Sequence, residues 1–120
     1  MFRPAILSHV AQHSAYIDSV FAALADPTRR SMICRLGRGP ASVGDLARVS
    51  TMTLPSFMKH VWTLEASGLI HTSKVGRVRT CTLDRERLAV VDGWLAEQRA
   101  IWEGRTDRLE QFVTPRQEQR

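Results

Sequence analysis

Cysteine is scarce: the 120-residue chain has only Cys34 and Cys81, with no CxxC pair and no Cys/His cluster. That excludes a secreted disulfide scaffold and a structural zinc knot, and it fits a reducing cytoplasm. Long apolar runs are also missing. His9, Gln12 and His13 break up the apolar residues near the N-terminus, so neither a signal peptide nor a membrane span is expected. There is no phosphate-cradling glycine loop, nucleophile elbow or metalloprotease helix, so the chain is read as a non-enzyme that needs no cofactor. Lysine is nearly absent. The net charge of +5 rests on 17 Lys and Arg against 12 Asp and Glu, and only Lys59 and Lys74 are lysines. Arginine, with its planar fork of donors, suits phosphate recognition. Charge of this size supports a nucleic-acid partner without establishing one.

What is present is organised around the stretch from Ser42 to Arg79. Ser42-Val43-Gly44-Asp45 reads as a serine N-cap with a carboxylate three residues on, opening a short helix with Leu46 inward. A turn falls around Val49-Ser50-Thr51-Met52. Thr53 then reads as the N-cap of a second helix, and Pro55 is tolerated in its first turn. Leu54, Phe57, Val61 and Leu64 repeat at helical spacing as one buried stripe, which turns Pro55, Ser56, Lys59 and Thr63 outward. His60 lies on the flank of the stripe, close enough to the outward face to donate to a phosphate or a base edge. Gly68 ends the helix. Two strands follow, Leu69 to Lys74 and Arg77 to Leu83, joined across Val75-Gly76. The second alternates Val78, Thr80 and Thr82 on one face with Arg77, Arg79 and Cys81 on the other, suggesting a basic ribbon beside the second helix. The fold class expected is therefore mainly α with a small β-hairpin, a winged helix-turn-helix with the helix pair at 42–67 and the wing at 69–83. Its expected DNA contacts are Thr53, Pro55, Ser56, Lys59, His60, Thr63, Lys74, Arg77 and Arg79.

The flanks read as dimerisation helices within one 120-residue domain. Ala5, Ile6, Leu7 and Val10 can begin a helix that Ser14 to Leu24 continues, placing the first at about residues 5–24. Asp26-Pro27 caps and opens the next helix, which carries Met32, Ile33 and Leu36 inward and stops at Gly37. Asp84 caps a last helix over 85–113, whose apolar line is wider than one small core covers. A second copy is the natural cover, through Ile17, Phe21, Leu88, Val91, Trp94, Leu95, Ile101, Trp102, Leu109 and Phe112.

Leu24-Ala25-Asp26-Pro27-Thr28-Arg29-Arg30, Leu46-Ala47, Leu54 to Val61 and Leu64-Glu65-Ala66-Ser67-Gly68-Leu69-Ile70, in this order, resemble the arsenic-repressor-type (ArsR/SmtB) family of winged-helix regulators. The resemblance covers residues 16 to 112. It implies a homodimer joined through its first and last helices that binds an operator in double-stranded DNA and usually represses. The chain departs from the family at both usual metal sites: Ser42 to Leu46 offers no thiolate, and no histidine follows Asp92. It therefore resembles the branch without a recognised metal site, and its inducer is unknown. Met58 and Trp62 stand where a small polar residue and a lysine are usual, so base preference does not carry over.

Weaker candidates have ordinary explanations. Cys34 and Cys81 sit on the second helix and in the wing, and a free cysteine is commonly a small apolar residue. His9 and His13, at i and i+4, would supply only two ligands of a metal site. Trp62 is expected to pack. Two alternatives to the repressor remain: a winged-helix module that binds protein through its apolar last helix, and a cysteine- or histidine-based sensor variant of the same repressor. The repressor reading predicts recognition helices spaced about 34 Å apart and steep salt sensitivity.

Overall fold

A computed structural model describes residues 16–113, with the side chains of 106–108 and 110–113 outside the description. Residues 5–15 of the expected first helix, His9, His13 and the side chain of Phe112 thus lie outside the described residues. The chain divides into two compact units after Leu88.

In the first unit, helix α1 covers 16–24, and α2 covers Pro27–Leu36. A two-residue strand β1, Ala41–Ser42, leads directly into α3, Val43–Ala47. Then come α4, Leu54–Ala66, β2, Ile70–Val75, and β3, Val78–Leu83. The last helix, α5, runs Arg85–Val113 and starts in this unit. The expected hairpin is in fact the larger part of a three-stranded antiparallel sheet of order β1-β3-β2. Ala41 pairs with Cys81 and Ser42 with Thr80.

The helices start where their side chains satisfy first-turn amides. Asp26 accepts from the Arg29 N–H at 3.0 Å, and Ser42 from that of Asp45 at 3.0 Å. Asp84 accepts from Arg87 at 2.9 Å. Asp45 does not complete a capping box, because its carboxylate pairs with Arg48 at 3.0 Å. The core of the unit is built from Val20, Leu36, Phe57, Val61, Leu64, Leu69, Ile70 and Cys81, none more than 1% exposed. Leu54 departs from its expected place on the buried stripe and is 59% exposed, since the first turn of α4 runs beyond the edge of this core.

The end of α4 fixes where the sheet begins. The Leu69 N–H donates to the Leu64 carbonyl at 3.1 Å and that of Gly68 to Glu65 at 3.0 Å, a Schellman closure with buried Leu64 and Leu69 at its two ends. Gly68 has φ +81, and a Cβ there would stand 2.6 Å from Nε of Arg87, whose guanidinium lies 4.2 Å over the ring of Tyr16. Gly68→Ala should therefore cost about 1–3 kcal/mol through backbone strain, with the Arg87–Tyr16 stack displaced. Urea unfolding monitored by circular dichroism reads this directly, and an unchanged midpoint would contradict it.

The hairpin turn lies one residue later than expected. Val75 pairs with Val78, leaving Gly76 and Arg77 as the two-residue loop. Gly76 has φ +62 and no non-glycine residue described has positive φ, which suits a turn with glycine at its first central position.

The second unit, from Ala89, is the rest of α5. It exposes Trp94, Leu95, Ile101, Trp102 and Leu109 to between 37% and 68%. Among the described residues, no helix is long and apolar enough to cross a membrane.

Candidate nucleic-acid interface

The outward face of α4 repeats at helical spacing: Pro55, Ser56, Lys59, Trp62, Thr63 and Ala66 are all exposed. It begins at an ordered N-terminus. Thr53 Oγ1 accepts the Ser56 N–H at 3.4 Å and donates to Ser56 Oγ at 3.0 Å. The Ser56 hydroxyl proton is thereby left to point elsewhere. Thr63 is partly committed, because its hydroxyl donates to the Lys59 carbonyl at 2.9 Å. The preceding turn is set by Ser50, whose hydroxyl accepts from the Met52 N–H at 3.1 Å. On the wing, Lys74 at the far end of β2 and Arg77 at the loop are exposed.

Two expected contacts sit differently. His60 is not on the outward face. Its side chain is 17% exposed, and its Nδ1 lies 3.0 Å from Nη1 of Arg29. A guanidinium can only donate, so in this contact Nδ1 is the acceptor. The same Arg29 donates through Nε to the Ala23 carbonyl at 2.7 Å and through Nη2 to Ala22 at 3.2 Å. Arg30 reaches the Leu24 carbonyl at 2.8 Å. The Asp-Pro-Thr-Arg-Arg run thus ends one helix, begins the next and ties both to α4 through His60. Arg29 is the residue that reading the sequence missed, although its motif was in view.

Arg79 is also not free. The face it shares with Cys81 turns towards α4: Cys81 is fully buried, and the Arg79 guanidinium lies 4.9 Å over the ring of Trp62. Its Nη1 donates to Thr72 Oγ1 at 2.9 Å. That hydroxyl donates to Glu65 Oε2 at 2.6 Å, which also accepts the Thr72 N–H at 3.1 Å. A charge-assisted chain therefore locks the wing onto α4. Trp62 meets the wing through this stack and is otherwise 43% exposed. Burial raises the Cys81 thiol above its ordinary value, with Glu65 adding to the shift, so it stays protonated and unreactive.

Two aspartates hold the frame around this face. The amide of Arg29 keeps Asp26 below the ordinary 3.8. The amide of Arg87, then His71 at 2.7 Å, does the same for Asp84. A carboxylate with a lowered folded value stabilises the protein fully above its unfolded value, and that stability fades as pH falls through the folded one. The stability–pH profile should thus decline below about pH 4, less steeply in an Asp26→Asn/Asp84→Asn variant. Superimposable profiles in urea titrations at several pH values would refute the assignment.

An apolar-cored sheet and helix pair that present an exposed helix face beside a basic wing define a winged helix-turn-helix DNA-binding unit. No family model matches the chain. A crystal structure of an ArsR family transcriptional regulator is 55% identical, with a TM-score of 0.72 over 73% of this chain and 97% of that one. An ArsR-like transcriptional regulator from Rhodococcus sp. RHA1 is 32% identical, with a TM-score of 0.71 over 82% and 93%. The HTH-type transcriptional regulator Rv2034 of Mycobacterium tuberculosis is 36% identical over 74 residues, 62% of this chain and 69% of that protein. The chain belongs to the ArsR family of transcriptional regulators. Among the described residues, no group of three His, Cys, Asp or Glu is placed to hold a metal ion.

Proposed function

We propose that the protein is a homodimeric repressor acting in the cytoplasm on an operator in double-stranded DNA, in the branch of its family without the usual metal sites. The observation that carries this reading is the exposed polar face of α4, running from Thr53 and Ser56 to Thr63, with Lys74 and Arg77 exposed on the wing. Ser56 and Lys59 read bases, Thr53 and Thr63 flank them, and Lys74 and Arg77 grip phosphate. Arg79 positions the wing through Trp62.

The dimer is supported by the apolar side chains exposed on the C-terminal unit, from Trp94 to Leu109, and by Phe21, 37% exposed, on α1. Ile17 is left out of the proposed interface. It is 7% exposed within a single chain and already serves the chain's own core.

The test is binding of the purified protein to its own upstream DNA and to a scrambled sequence, across a salt series, with mass in solution measured alongside. A preference for the upstream DNA, a steep salt slope and a dimer mass are expected. Equal weak binding to both DNAs would favour a module that binds protein through α5.

A further inference from the structure

A groove of about 520 Å³ runs along α2 on the side facing α3. We propose that it is an effector site for a small amphipathic organic anion, one carboxylate on an aromatic or aliphatic body, whose binding releases DNA. The volume lies within the ordinary range for small-molecule sites. Its base is apolar and drawn from three helices: Met32 of α2, Leu46 of α3 and Phe57 of α4, each no more than 5% exposed. Arg35, in the last turn of α2, and Arg38, two residues beyond the helix, also line the groove. Arg35 spends one donor on the Gly39 carbonyl at 3.1 Å, while the exposed guanidinium of Arg38 has no partner among the described residues. The acidic residue on the lining, Asp45, is already paired with Arg48. The uncompensated charge is therefore positive and sits beside an apolar base, which matches a carboxylate carried on an apolar body.

The position gives the site its consequence. A close-packed base accommodates an inserted ring by shifting helices rather than compressing, and Phe57 belongs to the helix that faces DNA. A ligand that binds better to the shifted arrangement depletes the DNA-binding one. This regulatory step rests on the repressor reading, but binding in the groove does not.

Cys34 provides a built-in readout. It lines the groove and is exposed, whereas Cys81 is buried. In the full-length protein, N-ethylmaleimide should label Cys34 and spare Cys81, with Cys34→Ser as the control. Naphthoate should slow this labelling saturably, by about tenfold when bound, and weaken operator binding over the same concentration range. The neutral alcohol of the same ring should do neither. Arg38→Glu, at an exposed position, should abolish both effects, and Arg35→Ala should reduce them. Absence of protection by naphthoate, benzoate and hexanoate alike would overturn the site, as would equal protection in Arg38→Glu. Protection with unchanged operator binding would overturn the regulatory step. Protection in a protein that binds no operator would support the groove and leave the repressor reading as the part that failed.

Discussion

Phe57→Ala should destabilise the protein by about 3–5 kcal/mol, the largest effect expected of any single truncation in the DNA-binding unit. Phe57 is 1% exposed on α4, so its removal leaves a cavity where three helices meet as well as losing the transfer energy of the ring. A domain of this size has only about 5–15 kcal/mol in all, so the variant should be partly unfolded near physiological temperature. Phe57→Leu, which keeps most of the volume, should cost only about 1–2 kcal/mol. Urea unfolding at fixed protein concentration, needed because dimerisation would couple stability to mass action, separates the two variants. A loss below about 1 kcal/mol in the alanine variant, with the denaturant slope unchanged, would remove Phe57 from the core.

The same stripe shows what periodicity can and cannot reveal. Phe57, Val61 and Leu64 were legible because a buried helix face repeats every three or four residues. Leu54 continues that spacing but lies outside the core, since spacing carries no information about where the neighbouring elements stop. For the same reason the spacing of Ile17, 7% exposed in the single chain, does not say whether its own chain or a second copy covers it. Strand β1 is not legible in the sequence, because two residues after Pro40 establish no alternation. The caps were legible in Asp26, Ser42, Thr53 and Asp84, because capping is a local arrangement of a side chain and the next few amides.

Long-range side-chain pairings were not legible. Nothing local says that Arg29 reaches His60, 31 residues away, or that Arg79 lies over Trp62. Both depend on how the sheet and α2 meet α4. These pairings bear on the proposed function, because they give His60 and Arg79 partners within the chain. His60→Ala should then act through the Arg29 connection to α1 and α2. Arg79→Ala should loosen the wing by removing both the stack on Trp62 and the hydrogen bond to Thr72.

The exposed residues should divide into two kinds when truncated. A base-reading side chain discriminates by about 1–3 kcal/mol, so Ser56→Ala with Lys59→Ala should lower operator affinity by about a hundredfold and affinity for scrambled DNA far less. A side chain that grips phosphate carries no sequence information. Arg77→Ala, at an exposed loop position, should weaken binding to both DNAs alike and reduce the log–log salt slope by about one for each phosphate that is no longer neutralised. If the recognition helices of two copies act together, each truncation counts twice per dimer and the salt slope falls by about two. Fluorescence-anisotropy titrations of the parent and the variants on operator and scrambled duplexes, at four or more salt concentrations, measure both quantities at once. If the α4 pair weakened binding equally on both duplexes and its salt slope fell like that of Arg77→Ala, α4 would be gripping backbone. Sequence readout would then have to come from the wing or from the shape of the DNA.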